Sequence, residues 1–140
     1  MEMKLEVVVV PVSDVDRAKE FYAERCGFHV DVDDSPSPGF RIVQLTPPGS
    51  SCSVTIGTGI AEMEPGSLKG LQLVVSDVEK ARGLLAGNGV DVSPVRHVDR
   101  STGQWVDGHG GPWNAFVFFA DPDGNAWAVQ EKPAEAAERT

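Results

Sequence analysis

Hydrophobic and polar positions follow the same order twice along the chain. Residues 5–12 and 71–75 are apolar runs, rich in β-branched side chains and too short for a buried helix, so each predicts a strand. After each strand, apolar residues recur at helical spacing, which predicts one amphipathic helix in each half. The positions on the two apolar helix faces are Val15, Ala18, Phe21 and Tyr22, and then Val78, Ala81, Leu84 and Leu85.

Polar residues mark where the two helices begin. Ser13 is followed three residues later by Asp16, and Ser76 is followed by Glu79, a spacing typical of capping boxes. An acidic side chain in the first turn also suits the positive end of the helix dipole. We therefore expect the helices to begin at these two serines.

The similarity of the two halves extends to the residues themselves. Residues 11–19 read Pro-Val-Ser-Asp-Val-Asp-Arg-Ala-Lys, and residues 74–82 read Val-Val-Ser-Asp-Val-Glu-Lys-Ala-Arg. Beyond the helices, Gly27 aligns with Gly89 after a one-residue gap, and both glycines are expected to end their helices. We infer that the chain contains a duplicated module.

Three strands are predicted after each helix. They cover residues 28–32, 40–45 and 52–56 in the first half, and residues 90–95, 115–120 and 126–130 in the second. The segment Asp121-Pro122-Asp123-Gly124-Asn125 predicts a hairpin turn, because proline presets φ while glycine and asparagine tolerate positive φ. Residues 58–68 link the halves, and residues 96–114 form a long loop in the second half.

This order of elements predicts one α+β domain over residues 1–132. It consists of two tandem βαβββ modules, at about residues 4–57 and 69–132, followed by a flexible tail at residues 133–140. A length of 140 residues is that of an ordinary single domain.

Composition narrows the classes of function. The chain has 12 basic and 21 acidic residues, a net charge of −9, and its basic residues are scattered, which argues against a nucleic-acid partner. No apolar stretch is long enough to cross a membrane, and the charged N-terminus does not look like a signal peptide. Two cysteines form no disulfide framework. We therefore expect a cytoplasmic protein.

Several segments together resemble a known family. They are Val-Ser-Asp-Val before each helix, Phe-Tyr within the first helix and Asp-Pro-Asp-Gly-Asn before the last strand, in a tandem βαβββ arrangement over residues 4–132. In this the chain is similar to the vicinal oxygen chelate superfamily, which includes glyoxalase I, bleomycin-resistance proteins, fosfomycin-resistance enzymes and extradiol dioxygenases. The resemblance implies a cup-shaped mixed sheet with a small-molecule ligand in its concave face, and a homodimer.

The resemblance also implies where a divalent metal would be held by His, Gln or Glu. The corresponding positions in this chain are Val7, Gly70 and Ala128, with residues 53–55 at the end of the first module. The side chains of valine, glycine and alanine cannot coordinate a metal. We therefore expect no metal and no other cofactor, and a divalent metal held by other residues is the less favoured alternative.

Strand periodicity extends this set to residues that would line the ligand site. Residues two positions along a strand project to the same face, which adds Val9, Gln72 and Gln130 to Val7, Gly70 and Ala128. The two glutamines are polar residues in apolar strands, and a buried amide needs hydrogen-bond partners. They are candidate ligand contacts, and a role at a strand end or an interface is the alternative.

The long loop carries further candidates. Trp105 and Trp113 flank His109, and long loops within domains often form lids or binding segments. The tryptophans would contact the ligand at the rim of the cup. His109 would act as a general acid or base or as a polar contact, and an exposed loop histidine without a function is the alternative.

These observations favour a metal-independent binding protein that holds a hydrophobic or aromatic small molecule. The alternative is an enzyme of the same family, a lyase, isomerase or oxygenase, acting on a small carbonyl compound or natural product. Such an enzyme would use acid/base chemistry with His109 as the catalytic residue, or a non-standard metal site.

Overall fold

The computed structural model describes residues 1–134, so residues 135–140, most of the predicted tail, lie outside the described part. The described part of the chain divides into two compact units, Met1–Lys69 with Asp121–Asn125, and Gly70–Ala120 with the residues from Ala126 to Ala134. Each unit has its own sheet and helix. Apart from the 121–125 turn, which groups with the first unit, the units follow the two predicted modules.

The first unit contains four strands, β1 (Val7–Val9), β2 (His29–Ser37), β3 (Phe40–Thr46) and β4 (Ser53–Thr58), in the sheet order β1-β4-β3-β2. β1 pairs with β4 in parallel, and the other pairs are antiparallel. Helix α1 covers Val15–Glu20 and continues as a π-helical turn over Phe21–Arg25. The predicted apolar helix face is confirmed, because Val15, Ala18, Phe21 and Tyr22 are all buried.

The second unit contains five strands and one helix. They are β5 (Leu71–Val75), α2 (Val78–Gly87), β6 (Arg96–Asp99), β7 (Gln104–Asp107), β8 (Phe116–Ala120) and β9 (Ala126–Glu131), with the sheet order β5-β9-β8-β6-β7. β5 pairs with β9 in parallel, and the hairpin predicted at residues 121–125 joins antiparallel β8 and β9. No helix of residues 1–134 has the length and apolar character to span a membrane.

Both helices begin one residue later than the serines predicted as caps. The side chain of Asp14 accepts a hydrogen bond of 3.1 Å from the Arg17 backbone N–H, and Asp77 accepts one of 3.0 Å from Lys80. Aspartate caps a helix as well as serine does, and its charge is favoured at the helix N-terminus. The predicted helix ends are confirmed, because φ is +78° at Gly27 and +85° at Gly89.

Three predictions for the second half and two for the first differ from the structure. Residues 90–95 form no strand, since Pro94 has no N–H for a ladder. Their contact with β8 is local: the Ser93 N–H donates to the Phe118 carbonyl over 2.9 Å, and the Phe118 N–H donates to the Ser93 hydroxyl over 2.9 Å. The loop at residues 96–114 contains the β6–β7 hairpin. Leu84 is 62% exposed rather than buried. In the first half, β1 covers only part of residues 5–12, and the strand predicted at residues 28–32 continues to Ser37.

The sheet of the second unit has two different faces. Val117, Phe119, Trp127 and Val129 are buried on one of them. Because side chains alternate along a strand, their neighbours occupy the other face, which we call the open face. Its residues are exposed or half-buried, with the exception of Gln130. By strand register they are Gln72, Val74, Arg96, Val98, Trp105, Asp107, Phe116, Phe118, Ala120, Ala126, Ala128 and Gln130.

Candidate functional site

Strand pairing aligns residues in rows across the open face. Gln72 aligns with Ala128, and Ala128 aligns with Phe118; in the next row Val74, Gln130 and Phe116 are aligned. Aligned residues of paired strands project to the same face and contact one another. The structure therefore brings together three of the predicted ligand contacts, Gln72, Ala128 and Gln130.

An aromatic cluster of Trp105, Phe116 and Phe118 occupies the same face. The two phenylalanine rings are nearly parallel, with centroids 6.1 Å apart, and Trp105 meets both edge-on at centroid distances of 5.2 and 5.1 Å. These are favourable aromatic geometries. Trp105 nevertheless remains 48% exposed. The cluster is a preformed apolar surface that is not covered by the rest of its unit.

A chain of amide hydrogen bonds lies beside the aromatic cluster. The Gln72 Nε2 donates to Gln130 Oε1 over 2.7 Å, and Gln130 Nε2 donates to the Trp113 carbonyl over 2.8 Å. Gln130 is 8% exposed, whereas Gln72 is exposed. The amide oxygen and nitrogen of the buried Gln130 therefore both have hydrogen-bond partners, as burial requires. The exposed amide of Gln72 is held in place by its bond to Gln130.

The loop that carries Trp113 is fixed by its neighbour Asn114. The Asn114 side chain is buried and makes two bonds with the Val98 backbone, donating to its carbonyl over 2.8 Å and accepting from its N–H over 2.9 Å. Trp113 itself has a φ of 59°, in the left-handed region. This conformation is unusual for a bulky residue and occurs where the surroundings impose it.

His109 makes polar contacts with Glu131 and with its own loop. Its Nε2 lies 2.6 Å from Glu131 Oε1, and its Nδ1 accepts a bond of 3.1 Å from the Gly111 N–H. Because Nδ1 accepts, Nε2 carries the proton that is donated to the carboxylate. Glu131 also accepts from the Val78 N–H at the start of α2 over 2.9 Å. In the alternation of β9, Glu131 follows Trp127 and Val129 on the face opposite the aromatic cluster.

The environment of Glu131 favours its charged form. Burial opposes ionisation, but the hydrogen bond from His109 and the backbone N–H of Val78 outweigh it, so the pKa of Glu131 is lowered. The carboxylate thus orients the His109 ring and caps α2 at the same time.

Three further predicted residues, Val7, Val9 and Gly70, do not belong to the strands of the open face. Val7 and Val9 belong to β1 of the first unit, opposite Ser53 and Thr55 of β4. Val9 lines a cavity of about 40 Å³ in that unit, far below the several hundred Å³ of usual ligand pockets. Gly70 is exposed and directly precedes β5.

The donor atoms present do not fit a metal site at the positions that the resemblance implies. Val7, Gly70 and Ala128 offer no side-chain ligand. Within residues 1–134, no group of three or more His, Cys, Asp or Glu side chains is arranged to hold a metal ion. Gln130 already uses its amide oxygen and nitrogen in hydrogen bonds. A catalytic metal needs about three protein ligands, and these residues do not supply them.

Two features of the site were missed from the sequence. Alternation along the strand predicts that Phe116 and Phe118 share a face. Only their contact with the exposed Trp105 shows that this is the open face and not the buried one. Arg96 extends the open face beyond Phe116 and pairs with Asp107 at 3.5 Å. Arg96 and Asp107 are partners in the β6–β7 hairpin, and the sequence pattern predicts this segment as a loop.

Comparisons with known proteins agree with this arrangement. The family model of the Glyoxalase/Bleomycin resistance protein/Dioxygenase superfamily matches residues 4–129. TnmS3, an antibiotic binding protein from Streptomyces sp. CB03234, is 32% identical, with a TM-score of 0.74 over 94% of this chain and 97% of that chain. A glyoxalase/bleomycin resistance protein from the same strain is also 32% identical, with a TM-score of 0.71 over 91% of this chain and 100% of that chain.

A more distant structure has the same fold. It is a member of the same superfamily from Sphaerobacter thermophilus DSM 20745, 27% identical, with a TM-score of 0.73 over 94% of this chain and 98% of that chain. A search of curated proteins found no match. The matched structures cover nearly the full length of the chain, and the two tandem βαβββ modules are therefore the fold of this protein.

Proposed function

Since the chain belongs to the Glyoxalase/Bleomycin resistance protein/Dioxygenase superfamily, we propose that it is a metal-independent binding protein for a hydrophobic or aromatic small molecule. The observation that carries this proposal is the aromatic cluster on the open face, where Trp105 is held edge-on by two phenylalanines yet is 48% exposed. Rigid aromatic side chains give a large contact area at little entropic cost, and burying them against a ligand ring is favourable.

The relatives support a ligand of this kind. TnmS3 is described as an antibiotic binding protein, and the second Streptomyces protein as a glyoxalase/bleomycin resistance protein. We extend antibiotic-type natural products to this chain as the candidate ligand class. The amides of Gln72 and Gln130 supply the few polar groups that usually orient a ligand in a largely apolar site.

Binding without a metal is supported by the residues at the expected ligand positions. Val7, Gly70 and Ala128 have no donor atoms in their side chains. The proposal includes the homodimer and the cytoplasmic location expected from the sequence. The two cysteines are free thiols, which is compatible with a reducing compartment.

Isothermal titration of the protein with 2-methoxynaphthalene tests this function. We expect wild-type protein to bind and Trp105→Ala to bind about tenfold more weakly, as the loss of an aromatic contact predicts. Val106→Ala is the control, because Val106 is an exposed neighbour that projects to the other side of β7. Equal binding by wild type and Trp105→Ala would refute the proposed site.

Metal independence is tested by a separate measurement. Protein purified without chelators is analysed for Mn, Fe, Ni and Zn and is then titrated with each ion. We expect less than stoichiometric metal and unchanged binding of 2-methoxynaphthalene after chelator treatment. One tightly held ion per chain would overturn metal independence.

An enzyme that uses acid/base chemistry is the second candidate, and the contact between His109 and Glu131 favours it. A carboxylate 2.6 Å from an imidazole is the arrangement that orients a catalytic histidine. The binding protein remains the first proposal because both ring nitrogens of His109 already have partners. Incubation of ligands with wild type and His109→Ala separates the two: turnover lost in the variant supports the enzyme, and binding without product supports the binding protein.

A further inference from the structure

We propose that the open face selects aromatic ligands that carry a hydrogen-bond donor, a hydroxyl or an N–H, and that the amide oxygen of Gln72 accepts that bond. Gln130 is the positioning residue that sets the direction of the Gln72 amide. This inference rests on the proposed function, because it takes the aromatic cluster as the surface on which the ligand ring binds.

The direction of the amide chain follows from its fixed end. The Trp113 carbonyl can only accept, so Gln130 must turn its NH₂ group toward it, at 2.8 Å. The amide oxygen of Gln130 then faces Gln72 and can only accept, at 2.7 Å. Gln72 must therefore present its NH₂ group to Gln130. A flip of either amide would place two acceptors or two donors against each other.

This leaves the amide oxygen of Gln72 directed away from the chain. Gln72 is exposed, and its bond to Gln130 is the one hydrogen bond that its side chain makes within residues 1–134. The residues beside it on the open face, Val74 and Ala128, have no polar side-chain atoms. The exposed amide oxygen of Gln72 is thus the polar side-chain acceptor that a ligand meets at this edge of the face.

The row that contains Gln72 also places it at a suitable distance from the aromatic cluster. Gln72, Ala128 and Phe118 lie on three adjacent strands, so the Cα atoms of Gln72 and Phe118 are about 10 Å apart across the sheet. The small side chain of Ala128 lies between them. A ring system lying over Ala128 can contact Phe118 with one edge and direct a substituent at the opposite edge toward Gln72.

Two matched probes test the selectivity. 2-Naphthol carries a hydroxyl donor, whereas 2-methoxynaphthalene has the same ring system and can only accept. The readout is the ratio of their Kd values, measured by isothermal titration for each variant, so that differences in probe size cancel. We expect Gln72→Leu to reduce the wild-type preference for 2-naphthol by about fivefold, as loss of one hydrogen bond predicts.

Gln130→Leu should reduce the preference by a similar factor although Gln130 is buried, because the Gln72 amide is then free to turn. Thermal unfolding verifies that this variant is folded, and Gln72→Leu carries the test if it is not. Gln104→Leu is the matched control, since Gln104 is exposed and alternates with Trp105 on β7, and it should leave the ratio unchanged.

Each outcome decides between the two proposals. If the preference for 2-naphthol over 2-methoxynaphthalene falls in Gln72→Leu, donor selection is supported. Equal ratios in wild type and Gln72→Leu, with both probes still weakened by Trp105→Ala, overturn donor selection and leave the proposed function intact. Failure of wild-type protein to bind either probe overturns both.

Discussion

The Tyr22 hydroxyl donates a hydrogen bond of 2.7 Å to the buried carboxylate of Asp121. The same carboxylate oxygen accepts from the Asn125 side chain over 2.8 Å, and Asn125 also donates to the Pro11 carbonyl over 2.8 Å. The Asp-Pro-Asp-Gly-Asn turn and the Phe-Tyr pair of the first helix are thus joined in one polar network. Both segments carried the family resemblance, and the structure gives them a structural role.

Tyr22→Phe should destabilise the protein by about 2 kcal/mol. The substitution keeps the ring and its stacking on Phe28, at a centroid distance of 5.5 Å, but removes one donor from a buried carboxylate. Urea unfolding followed by circular dichroism measures the change, with Asp34→Asn, at an exposed position, as the control. A variant as stable as wild type would show that the Asp121 carboxylate is satisfied without Tyr22.

The elements that repetition and turn chemistry specify could be predicted from the sequence. The first helix face, the glycines at the helix ends and the 121–125 hairpin all depend on local residues, and all were confirmed. The start of the first helix was displaced by one residue because Ser13 bonds to Asp123, a partner far away in sequence. No local pattern indicates that Asp14 rather than Ser13 accepts from the helix.

The candidate site could be predicted only in part, for a related reason. Alternation within strands placed Gln72, Ala128 and Gln130 on one face, and the register agrees. The contact between Trp105 and the phenylalanines depends on the β6–β7 hairpin, whose short strands lie in a segment rich in glycine and polar residues. Its pairing is decided by tertiary contacts such as those of Asn114 with Val98.

Phe118 and Phe119 are adjacent residues of the same type on opposite faces, and they should respond differently to truncation. Phe119 is buried and stacks on Trp127 at 6.0 Å, so Phe119→Ala should cost about 3–5 kcal/mol in unfolding free energy. Phe118 is half-buried, so Phe118→Ala should cost less but weaken 2-methoxynaphthalene binding severalfold. Denaturant unfolding and calorimetric titration measure both. The opposite pattern would mean that the open face is incorrectly assigned.

Asp33 should make stability depend on pH in the acid range. Side-chain hydrogen bonds from Arg41 and Lys19 lower the pKa of Asp33 from 3.8 to about 2. A lowered pKa in the folded state adds stability above the unfolded pKa, and that stability is lost as the pH falls from about 4 to 2. Because these ion pairs are partly exposed, we expect only about 1 kcal/mol.

Asp33→Asn tests this dependence by urea unfolding at several pH values. The free energy of unfolding of Asp33→Asn should be lower than that of wild type by the full amount at pH 6, and this difference should shrink toward pH 2. Asp34→Asn, the neighbouring exposed position, should show no such convergence. A deficit independent of pH would mean that the Asp33 charge contributes nothing.

The two free cysteines should differ in reactivity toward a thiol reagent. Burial and, to a smaller extent, the charge of Asp121 raise the pKa of Cys26 to about 12, so almost none of it is thiolate at pH 8. In Cys52→Ser, which retains Cys26, reaction with Ellman's reagent should be at least about tenfold slower than in Cys26→Ser. In urea, where both thiols are exposed, the two variants should react at similar rates. Equal rates in the folded variants would contradict a protected Cys26.

Asn114 should hold the loop on which both Trp113 and the amide chain depend. Asn114→Ala leaves the Val98 N–H and carbonyl without their side-chain partners, at 2.9 and 2.8 Å in the wild type, and should cost about 2 kcal/mol. Hydrogen exchange at the Val98 amide should accelerate together with exchange at Gly110, whose N–H donates to the Asn114 carbonyl over 2.8 Å. Gln104→Ala, at an exposed amide of the same hairpin, is the control. Faster exchange at Val98 alone would show that the loop is held by contacts other than Asn114, and the preference for 2-naphthol should then survive the substitution.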